Sequence, residues 1–356
     1  LAALRSRNGI ISTYDFVKNS PNVYAYHTHG LSVLSVLAGR ISGGIAGTAP
    51  AADYMLLRSE DATSETPAEE DFWAAAAEYA DSAGADIISS SLGYSTFDDV
   101  SMDYKFSDLD GNTAFITRAA DIAASKGILV VNSAGNERNK PWRRIIAPSD
   151  GDSVLAAGAV DGNNFISVFS SAGPSADRQV KPDVSALGVS ITVQVNETHL
   201  AKANGTSFSC PVLSGMAACL MEAVPEASNN EIIRALQLSA DRKNSPDSLY
   251  GYGIPDMLSA LRYIQDIYVE TPESGSLFGP NPTRGEIEFT FRTEPGRIKM
   301  DIVNSSGKII YRRELAEYAG RSFRINALAG KEQGIYFIRL ETDSGTYKYR
   351  VVKLND

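Results

Sequence analysis

Apolar residues in the first part of the chain, up to about residue 262, fall into short continuous runs separated by stretches of helical periodicity. These runs are ADYMLL (52–57), ADIISSSLG (85–93), GILVVNSAGN (127–136) and SVLAAGAV (153–160). Runs that are apolar on both faces are typical of buried parallel strands. The segments 69–84 and 114–127 between them are predicted as helices that end at a glycine. The alternation predicts an α/β fold with a doubly wound, mostly parallel sheet, which binds ligands at the carboxyl ends of its strands.

The pattern changes in the last part of the chain. Five segments there alternate apolar and polar residues with a period of two and are separated by turn residues such as NSSG and TDSG. They are EIEFTFR (286–292), RIKMDIV (297–303), KIIYRREL (308–315), GIYFIRLE (334–341) and YKYRVVKL (347–354). This alternation is typical of antiparallel strands that are buried on one face. We therefore predict an α/β domain over 1–265, a linker over 266–279 and a small antiparallel β-sandwich over 280–356.

Composition and charge restrict the class of protein. The chain has 356 residues, of which 43% are hydrophobic and 21% charged, as expected for a globular protein of two domains. The first 270 residues contain 19 Lys and Arg against 32 Asp and Glu, whereas the remainder contains 14 against 11. An acidic main domain repels phosphate backbones, so we do not expect nucleic acid as a partner. No run of about 18 apolar residues is present, so we expect no transmembrane segment.

The two cysteines, Cys210 and Cys219, lie nine residues apart in one predicted helix. Nine helical residues span about 13 Å. A disulfide requires Cα atoms within about 7 Å of each other. We therefore expect two free, buried thiols.

The segment NGTSFSCP (204–211) is an unusual start for an apolar helix. A helix that begins near Ser207 would direct its free N–H groups and its positive end toward that hydroxyl. Pro211 would then fall within the first four helical residues, whose N–H groups have no partner in the helix. The alternative is that Ser207 is only a helix cap.

The order of residues along the chain separates the known plans of serine enzymes. The three histidines, His27, His29 and His199, all precede Ser207. An α/β-hydrolase places Ser, acid and His in that order and uses a G-x-S-x-G elbow, so an esterase or lipase is excluded. A plan with His ahead of Ser on a parallel sheet remains. His29 would open an apolar helix, and Asn136 would follow a buried strand, where its amide could donate to a developing oxyanion.

Several segments resemble the motifs of the subtilisin-like serine peptidases, in the order of that family. They are HTHGLSVLSVLAG, SSSLGY, VVNSAGNE, FSSAGPSADRQVKPDVSALG and NGTSFSCPVLSGMAA, followed by GYGIPDMLSAL. The GTSxSxP-type motif is specific, and the HG and AGN motifs add to it. The resemblance covers about residues 1–262 and implies an extracellular serine endopeptidase with a subtilisin-like fold.

The resemblance assigns roles residue by residue. It implies that Ser207 is the nucleophile and His29 its general base, with Asn136 and the N–H of Ser207 stabilising the oxyanion. It assigns no metal ligand and implies no required cofactor. A structural calcium ion is left open, because many members of the family bind one.

The resemblance also places the substrate, an extended peptide or protein segment. It implies that Ser91, Leu92 and Gly93 pair with the substrate by strand addition. The remaining residues assigned to substrate binding are Ala134, Gly135 and Ile146. Ile146 is expected near the base of the main specificity pocket.

Two positions near the histidine depart from the family pattern. Leu31 stands where the family has Thr. His27 forms an H-x-H pair with His29, which could indicate zinc. Neither carboxylates nor cysteines cluster near it in the sequence, so we interpret His27 as a loop residue.

The triad carboxylate is the largest departure. The catalytic aspartate of the family precedes the histidine in a D-[ST]-G-like motif, and nothing resembling it occurs between Leu1 and His29. Asp15 matches the strand that follows that motif, so we interpret it as structural, with a role as the triad acid left as the alternative. The resemblance places the aspartate upstream of Leu1, on a central strand of the sheet. We expect a docked upstream segment to carry it, either as a separate N-terminal fragment or as part of a longer chain.

The loop SDLDGN (107–112) is a second candidate ion site. Asp108, Asp110 and Asn112 have a spacing that suits calcium, but the loop lacks the terminal glutamate of an EF-hand. Turn formation explains the same residues. Both interpretations remain open from the sequence.

The C-terminal part resembles a second family. GPNPTRGEIEFTF, VNSSGKIIY and GIYFIRLETDSGTYKYRVVKL resemble the C-terminal sorting domain of the type IX secretion system. This resemblance implies binding to the secretion machinery, export across an outer membrane, and a secreted or surface location. The alternative is a β-sandwich appendage that serves substrate binding or stability.

Two rival functions remain for the whole chain. A non-catalytic surface protein could keep the fold without a complete triad, and Leu31 and the missing aspartate favour it. The serine-carboxyl peptidases share a GTS-type serine motif but lack the histidine and the oxyanion asparagine. His29 and Asn136 therefore argue against that second group.

Overall fold

A computed structural model of the protein describes residues 4, 7–24, 26–268, 276–279, 281–291, 294–304, 307–343 and 345–355. The chain divides into two compact units, Leu1–Ile264 and Gln265–Asp356. The range 266–279, predicted as a linker, includes the end of a helix and a strand at Ser276–Gly279. Its middle part, 269–275, lies outside the described residues, as do Pro280 and the predicted turn residues 305, 306 and 344.

Strands and helices alternate in the first unit, as the sequence predicts. The strands are β1 (Ile10–Asp15), β2 (Arg40–Ile41), β3 (Ile45–Ala46), β4 (Tyr54–Arg58), β5 (Ile87–Ser90), β6 (Leu129–Ser133), β7 (Val154–Val160), β8 (Val184–Leu187), β9 (Ile191–Gln194) and β10 (Leu200–Ala203). The helices are α1 (His29–Ala38), α2 (Ala68–Ser82), α3 (Phe115–Ser125), α4 (Thr206–Ala223), α5 (Asn229–Ser239) and α6 (Met257–Tyr268), with short 3₁₀ helices at Val100–Met102 and Phe106–Asp108. The four predicted strands and two predicted helices are all present. None of the helices in the described part of the chain is long and apolar enough to cross a bilayer.

Strands β5, β6, β7 and β8 form a sheet in that order, and all of its pairs are parallel. Every residue of β6 and β7 is buried. Leu129 and Val131 of β6 pack in one core with α4, α5 and α6, whereas Val130 packs in another core with α2 and α3. Because consecutive side chains of a strand point to opposite faces, helices cover both faces of this sheet. The doubly wound arrangement is confirmed.

The parallel strands do not form one continuous sheet. β4 pairs only with β1, and β5 only with β6, among the residues that the structure describes. A cavity of about 2490 Å³, which we name the central cleft, lies between β4 and β5 and is also lined by α1, α2 and α4. Leu56 and Leu57 of β4 and Ile87 and Ile88 of β5 are only half-buried. The predicted strand 52–57 therefore belongs to a separate two-stranded sheet, which the local pattern does not reveal.

The second unit is an antiparallel β-sandwich, as predicted. Its strands are β11 (Ser276–Gly279), β12 (Ile287–Phe291), β13 (Gly296–Asn304), β14 (Ile309–Tyr318), β15 (Ser322–Ile325), β16 (Gly334–Thr342) and β17 (Gly345–Lys353). They form two sheets, ordered β11-β12-β15 and β14-β13-β16-β17. The inward residues of both sheets share one core, in which the rings of Phe289 and Tyr349 have centroids 5.5 Å apart.

Candidate active site

The turn before α4 presents Ser207. The helix begins at Thr206, so Ser207 is its second residue, and its side chain is half-buried. Gly205 caps the helix with φ +153°, a conformation that residues with a side chain rarely adopt. A Cβ added to Gly205 would lie 3.7 Å from Nδ2 of Asn136. The amide of Asn136 therefore lies beside the turn that carries the serine.

Pro211 is the sixth residue of α4, so the expectation that it lies among the first four is wrong. The helix starts at Thr206, two residues before the start that a Ser207 cap would give. A proline has no N–H, so Pro211 cannot donate to the carbonyl of Ser207 four residues before it. The hydroxyl of Ser91 donates to that carbonyl instead, at 2.9 Å. Ser91 follows β5 and thereby ties the predicted substrate strand to the serine residue.

Asn136, which follows β6, is held by its side-chain carbonyl. This oxygen accepts hydrogen bonds from the backbone N–H of Thr206 at 3.0 Å and from its hydroxyl at 3.2 Å. The Thr206 hydroxyl in turn accepts from the N–H of Gly135 at 3.2 Å. With the carbonyl fixed, the NH₂ group of Asn136 remains available as a donor, since it has no acceptor among the described residues.

His29 is the first residue of α1 and borders the central cleft. Its ring meets the ring of Phe208, the residue after Ser207, edge to face at a centroid distance of 6.2 Å. Burial, and next the charge of His27, lowers the pKa of His29. A lowered pKa favours the neutral imidazole that a general base requires. Neither its ring nitrogens nor Oγ of Ser207 has a hydrogen bond in the described part of the chain.

Asp15 is completely buried and engaged away from His29. Its carboxylate accepts from the backbone N–H groups of Val17 and Lys18, both at 3.0 Å. Arg58 of β4 donates to both of its oxygens, at 3.0 and 2.8 Å. These contacts join β1 to β4 and support the interpretation of Asp15 as structural. No described carboxylate is hydrogen-bonded to His29.

The residues predicted to bind substrate come together from three segments. Gly93 continues from Ser91 and Leu92, and an added Cβ at Gly93 would lie 2.6 Å from the carbonyl oxygen of Ala147. The N–H of Ile146 donates to the carbonyl of Ala134 at 3.3 Å. The side chain of Ile146 lies 2.8 to 3.0 Å from the positions that Cβ atoms would take at Gly93 and Gly135. Both positions therefore require glycine, and Ile146 lies between them.

The other histidines do not form a metal site in the structure. His27 is exposed, and its Nδ1 accepts from the backbone N–H of His29 at 3.1 Å. His199 lies in the exposed turn between β9 and β10 and contacts Thr198 and Asn196. No group of three or more His, Cys, Asp or Glu side chains within the described ranges is arranged to hold a metal ion.

The loop 107–112 shows the hydrogen bonds of a turn. Asp110 accepts from the backbone N–H groups of Asn112 and Thr113 and from the Thr113 hydroxyl. Asp108 accepts from the N–H of Lys105 at 2.8 Å. These oxygens accept hydrogen bonds within the loop itself, which agrees with the interpretation of these residues as turn formers.

The cysteines are both free, but only one is buried. Cys210 donates to the carbonyls of Ser90 and Val131, both at 3.4 Å. Cys219 is exposed and borders the central cleft. The expectation of burial is therefore wrong for Cys219, because its helix face meets the cleft rather than a packed strand.

Sequence reasoning missed the residues that hold the site in place. Thr206 clamps Asn136, the Ser91 side chain supports the backbone of Ser207, and His27 contacts the backbone of His29. Thr206 stands next to Ser207 in the recognised motif, which was a usable signal. The contacts of Ser91 and His27 depend on tertiary geometry and on ring orientation, which the motifs do not encode.

Comparison with known proteins places this geometry in a family. Residues 5–253 match the family model described as the subtilase family. The thermophilic serine proteinase of Bacillus sp. (strain AK1) is 29% identical over 256 residues, which cover 71% of this chain and 57% of that protein. Subtilisin E of Bacillus subtilis (strain 168) is 29% identical over 252 residues, which cover 69% and 59%. The chain thus spans less than two thirds of the length of these relatives.

Solved structures agree in fold. The self-cleaved protease domain of PatA superposes with a TM-score of 0.57 at 22% identity, covering 73% of this chain and 90% of that chain. The prenylagaramide maturation protease PagA gives 0.56 at 23% identity, covering 67% and 83%. At these identities the likeness shows a shared fold.

The C-terminal unit has a match of its own. Residues 278–354 match the family model described as a secretion system C-terminal sorting domain. The match confirms the predicted sorting domain, and the protein is therefore exported, to the medium or to the cell surface. For the α/β unit, the matching family model covers well over half of the chain, and the protein accordingly belongs to the subtilase family.

Proposed function

We propose that the protein is a serine endopeptidase that hydrolyses peptide bonds through an acyl-enzyme on Ser207. The observation that carries the proposal is the clamp on Asn136, whose carbonyl is held by Thr206 beside the turn of Ser207. The clamp holds the NH₂ of Asn136 beside the turn, 3.7 Å from the position that a Cβ would take at Gly205, before any substrate arrives. Donors fixed in advance stabilise a developing oxyanion without reorganisation.

The mechanism follows from these positions. The neutral imidazole of His29 takes the proton of the Ser207 hydroxyl as its oxygen attacks the peptide carbonyl. The NH₂ of Asn136 and the backbone N–H of Ser207 donate to the oxyanion of the tetrahedral intermediate. His29 then gives the proton to the leaving amine, and water hydrolyses the acyl-enzyme by the reverse sequence of steps.

The substrate binds as an extended peptide beside Ser91, Leu92 and Gly93. The backbone N–H and C=O of Gly93 have no partner within the described residues, so they are available for strand addition. The side chain before the cleaved bond enters the pocket near Ile146, with Ala134 and Gly135 beside it. Preorganised backbone pairing of this kind gives affinity, and the pocket gives specificity.

We further propose that a strand not contained in residues 1–356, on a docked N-terminal fragment, fills the central cleft and carries the carboxylate that orients His29. The facing edges of β4 and β5 are apolar, half-buried and unpaired in the described structure. Each buried backbone group without a partner costs about 1–3 kcal/mol. A strand inserted between β4 and β5 would pair with their free backbone groups and so stabilise the protein. His29 borders the same cleft.

One observation favours the rival, non-catalytic function. No carboxylate of the described chain is hydrogen-bonded to His29, and Leu31 follows the motif in place of Thr. Under this alternative no carboxylate in the central cleft orients His29, and Ser207 is unreactive.

A fluorophosphonate probe distinguishes the two functions. It should label the full-length secreted protein at Ser207, and Ser207→Ala should remove the label. The matched control is Ser209→Ala, because Ser209 belongs to the same motif but is buried and donates to the carbonyl of Thr206 at 3.0 Å. Folded protein that takes no label at any pH between 6 and 10 would establish the non-catalytic alternative.

The presence of the inserted strand can be tested in the protein that the fluorophosphonate labels. Denaturing mass spectrometry should find residues beyond 1–356, as a longer chain or a separate fragment. Hydrogen exchange should then show protected amides along both edges of β4 and β5. Active protein whose cleft-facing amides exchange freely would contradict the insertion.

The sorting unit is proposed to bind the secretion machinery. Deleting 276–356 should leave cleavage of a short peptide intact while the protein stays in the producing cell. Normal export of the deleted protein would show that this unit is no sorting signal.

A further inference from the structure

The start of α1 is held by an imidazole rather than by a conventional cap. Its N-cap residue, Thr28, makes no side-chain cap hydrogen bond, and its first turn contains no acidic residue. Nδ1 of His27 instead accepts from the backbone N–H of His29 at 3.1 Å. Helix starts are normally capped by Ser, Thr, Asp or Asn oxygens, which keep their acceptor over the whole neutral range of pH.

We propose that His27 is a positioning residue for His29, anchoring the first N–H of α1 while its ring is neutral and releasing it when the ring is protonated. The proposal rests on the proposed role of His29 as general base. In a neutral imidazole one nitrogen is a donor and the other an acceptor, whereas both are donors in the protonated ring. The contact to the N–H of His29 therefore exists only when Nδ1 of His27 carries no proton.

Protonation of His27 has a second effect on the same residue. The two rings lie with their centroids 6.4 Å apart. Burial is the larger cause, and the charge of His27 the next, of the lowered pKa of His29. A positive charge on His27 thus also disfavours a positive charge on His29. Only the form in which both rings are neutral has an anchored helix start and a competent base.

The titratable side chains on the elements that pack against α1 are Cys210, Cys219 and Glu222 of α4 and Tyr54 and Arg58 of β4. Of these, Tyr54 packs in one apolar cluster with Leu34 and Leu37 of α1. β3 and β9, which also pack on α1, carry no titratable side chain. Arg58 lies over the ring of Tyr26, 4.0 Å from its centroid, so its positive charge stands one residue from His27. None of these groups forms an ion pair with His27 in the described structure, and the carboxylate proposed for the cleft would be the same in every variant below.

The test compares two substitutions in the full secreted protein. His27→Asn keeps an oxygen acceptor for the N–H of His29 but cannot titrate, whereas His27→Ala removes the acceptor. At high pH, kcat/KM of the wild type should lie within about threefold of His27→Asn and about fivefold above His27→Ala, the effect of about one lost helix cap. On the acid side the wild type should lose its advantage over His27→Ala, because a protonated His27 no longer accepts the N–H of His29. His27→Asn should keep its advantage over His27→Ala at every pH.

A matched control is His199→Asn, which removes an exposed histidine from the turn between β9 and β10 and should keep the wild-type pH profile. A wild-type advantage over His27→Ala that is the same at every pH, or equal high-pH activities of the Asn and Ala variants, would each overturn the proposal. A merely structural role for His27 would lower the activity of both variants by a factor that does not change with pH.

A second measurement is independent of catalysis. Nitrogen-15 NMR should show His27 with Nδ1 unprotonated at neutral pH, and the amide of His29 should shift along the titration curve of His27. If no variant cleaves peptide at any pH, the proposed function fails, while the NMR titration still decides whether the anchor exists. An amide of His29 that ignores the titration of His27 would overturn the anchor even in an active enzyme.

Discussion

The two halves of the candidate site are held in different ways. On the serine side, Asn136 is fixed by Thr206, and the carbonyl of Ser207 is fixed by Ser91, all through neutral hydrogen bonds. On the histidine side, the start of α1 has one exposed imidazole as its anchor and borders an open cleft. In the proposed mechanism, residues of the described chain preorganise oxyanion binding, whereas the general base depends on the contact from His27 and on the proposed inserted strand.

The largest expected effect comes from removing the ion pair between Asp15 and Arg58 on the histidine side. Asp15→Ala should lower the free energy of unfolding by about 3–5 kcal/mol, because it leaves the largely buried Arg58 with only the longer contact to Asp61, at 3.9 Å. Urea denaturation measures the loss. Fluorophosphonate labelling of the remaining folded protein should proceed at the wild-type rate, since Asp15 acts on β1 and β4 rather than on His29.

The control for Asp15 is Asp53→Ala. Asp53 is 61% exposed and pairs with Arg7, so the expected change is below about 1 kcal/mol. If folded Asp15→Ala loses about 10⁴-fold in kcat, Asp15 is the triad acid and the cleft needs no further carboxylate.

The second test removes the oxyanion donor on the serine side. Asn136→Ala should lower kcat by about 10²–10³ with little change in KM, because the amide acts mainly in the transition state. Steady-state kinetics on a peptide substrate measure both constants. Asn139→Ala, an exposed asparagine three residues away, is the control and should leave them unchanged. A change confined to KM would make Asn136 a substrate contact.

The third test concerns the link between Ser91 and Ser207. Ser91→Ala leaves the Ser207 carbonyl without a donor and should lower the free energy of unfolding by about 1 kcal/mol, with a severalfold slower labelling of Ser207. Adding Pro211→Ala restores an N–H at the position from which a helix donates to that carbonyl. The double variant should therefore recover most of the loss. Strictly additive effects of the two substitutions would show that the Ser91 contact does not compensate for the proline.

The smallest expected effect concerns Glu60, which borders the central cleft. Burial raises the pKa of Glu60 to about 7. The folded protein therefore holds a proton that the unfolded chain has released between about pH 4.5 and 7. This contribution to stability is full at low pH and is lost as the pH rises through 7.

Glu60→Gln should reduce the fall of the thermal midpoint between pH 5 and 8 by on the order of 2–4 °C. Glu78→Gln, on the exposed face of α2, is the control and should keep the wild-type pH dependence. Identical pH profiles for wild type and Glu60→Gln would mean that the carboxyl is ionised in the folded protein throughout this range.

The fold class was predictable because it rests on local periodicity. β7 lies at Val154–Val160, almost where the apolar run 153–160 predicts it, because a strand that is buried on both faces leaves a continuous apolar signal. The division of the parallel strands between two sheets was not predictable in this way. The pairing of β4 with β1, and not with β5, is a contact between distant segments that leaves no mark in either segment alone.

The site was predictable to the level of motifs and not beyond. Ser207, His29 and Asn136 stand in motifs from which their proposed roles follow by resemblance to the family. α4 starts at Thr206, so Pro211 is its sixth residue and offers no N–H to the carbonyl of Ser207, to which Ser91 donates instead. The exposure of Cys219 depends on what occupies the central cleft, which no residue near Cys219 encodes.

The different reactivities of the two thiols can report whether the central cleft is filled. Cys219 is exposed to the central cleft, whereas Cys210 is completely buried on the same helix, and burial raises the pKa of Cys210 to about 11. An alkylating reagent therefore distinguishes the thiols in a folded molecule, and Cys210 reports unfolding as an internal standard. If the proposed strand occupies the cleft, alkylation of Cys219 should slow while Cys210 stays unreactive. The fraction of Cys219 that is alkylated then measures the share of molecules with an empty cleft, and any alkylated Cys210 reports unfolded molecules.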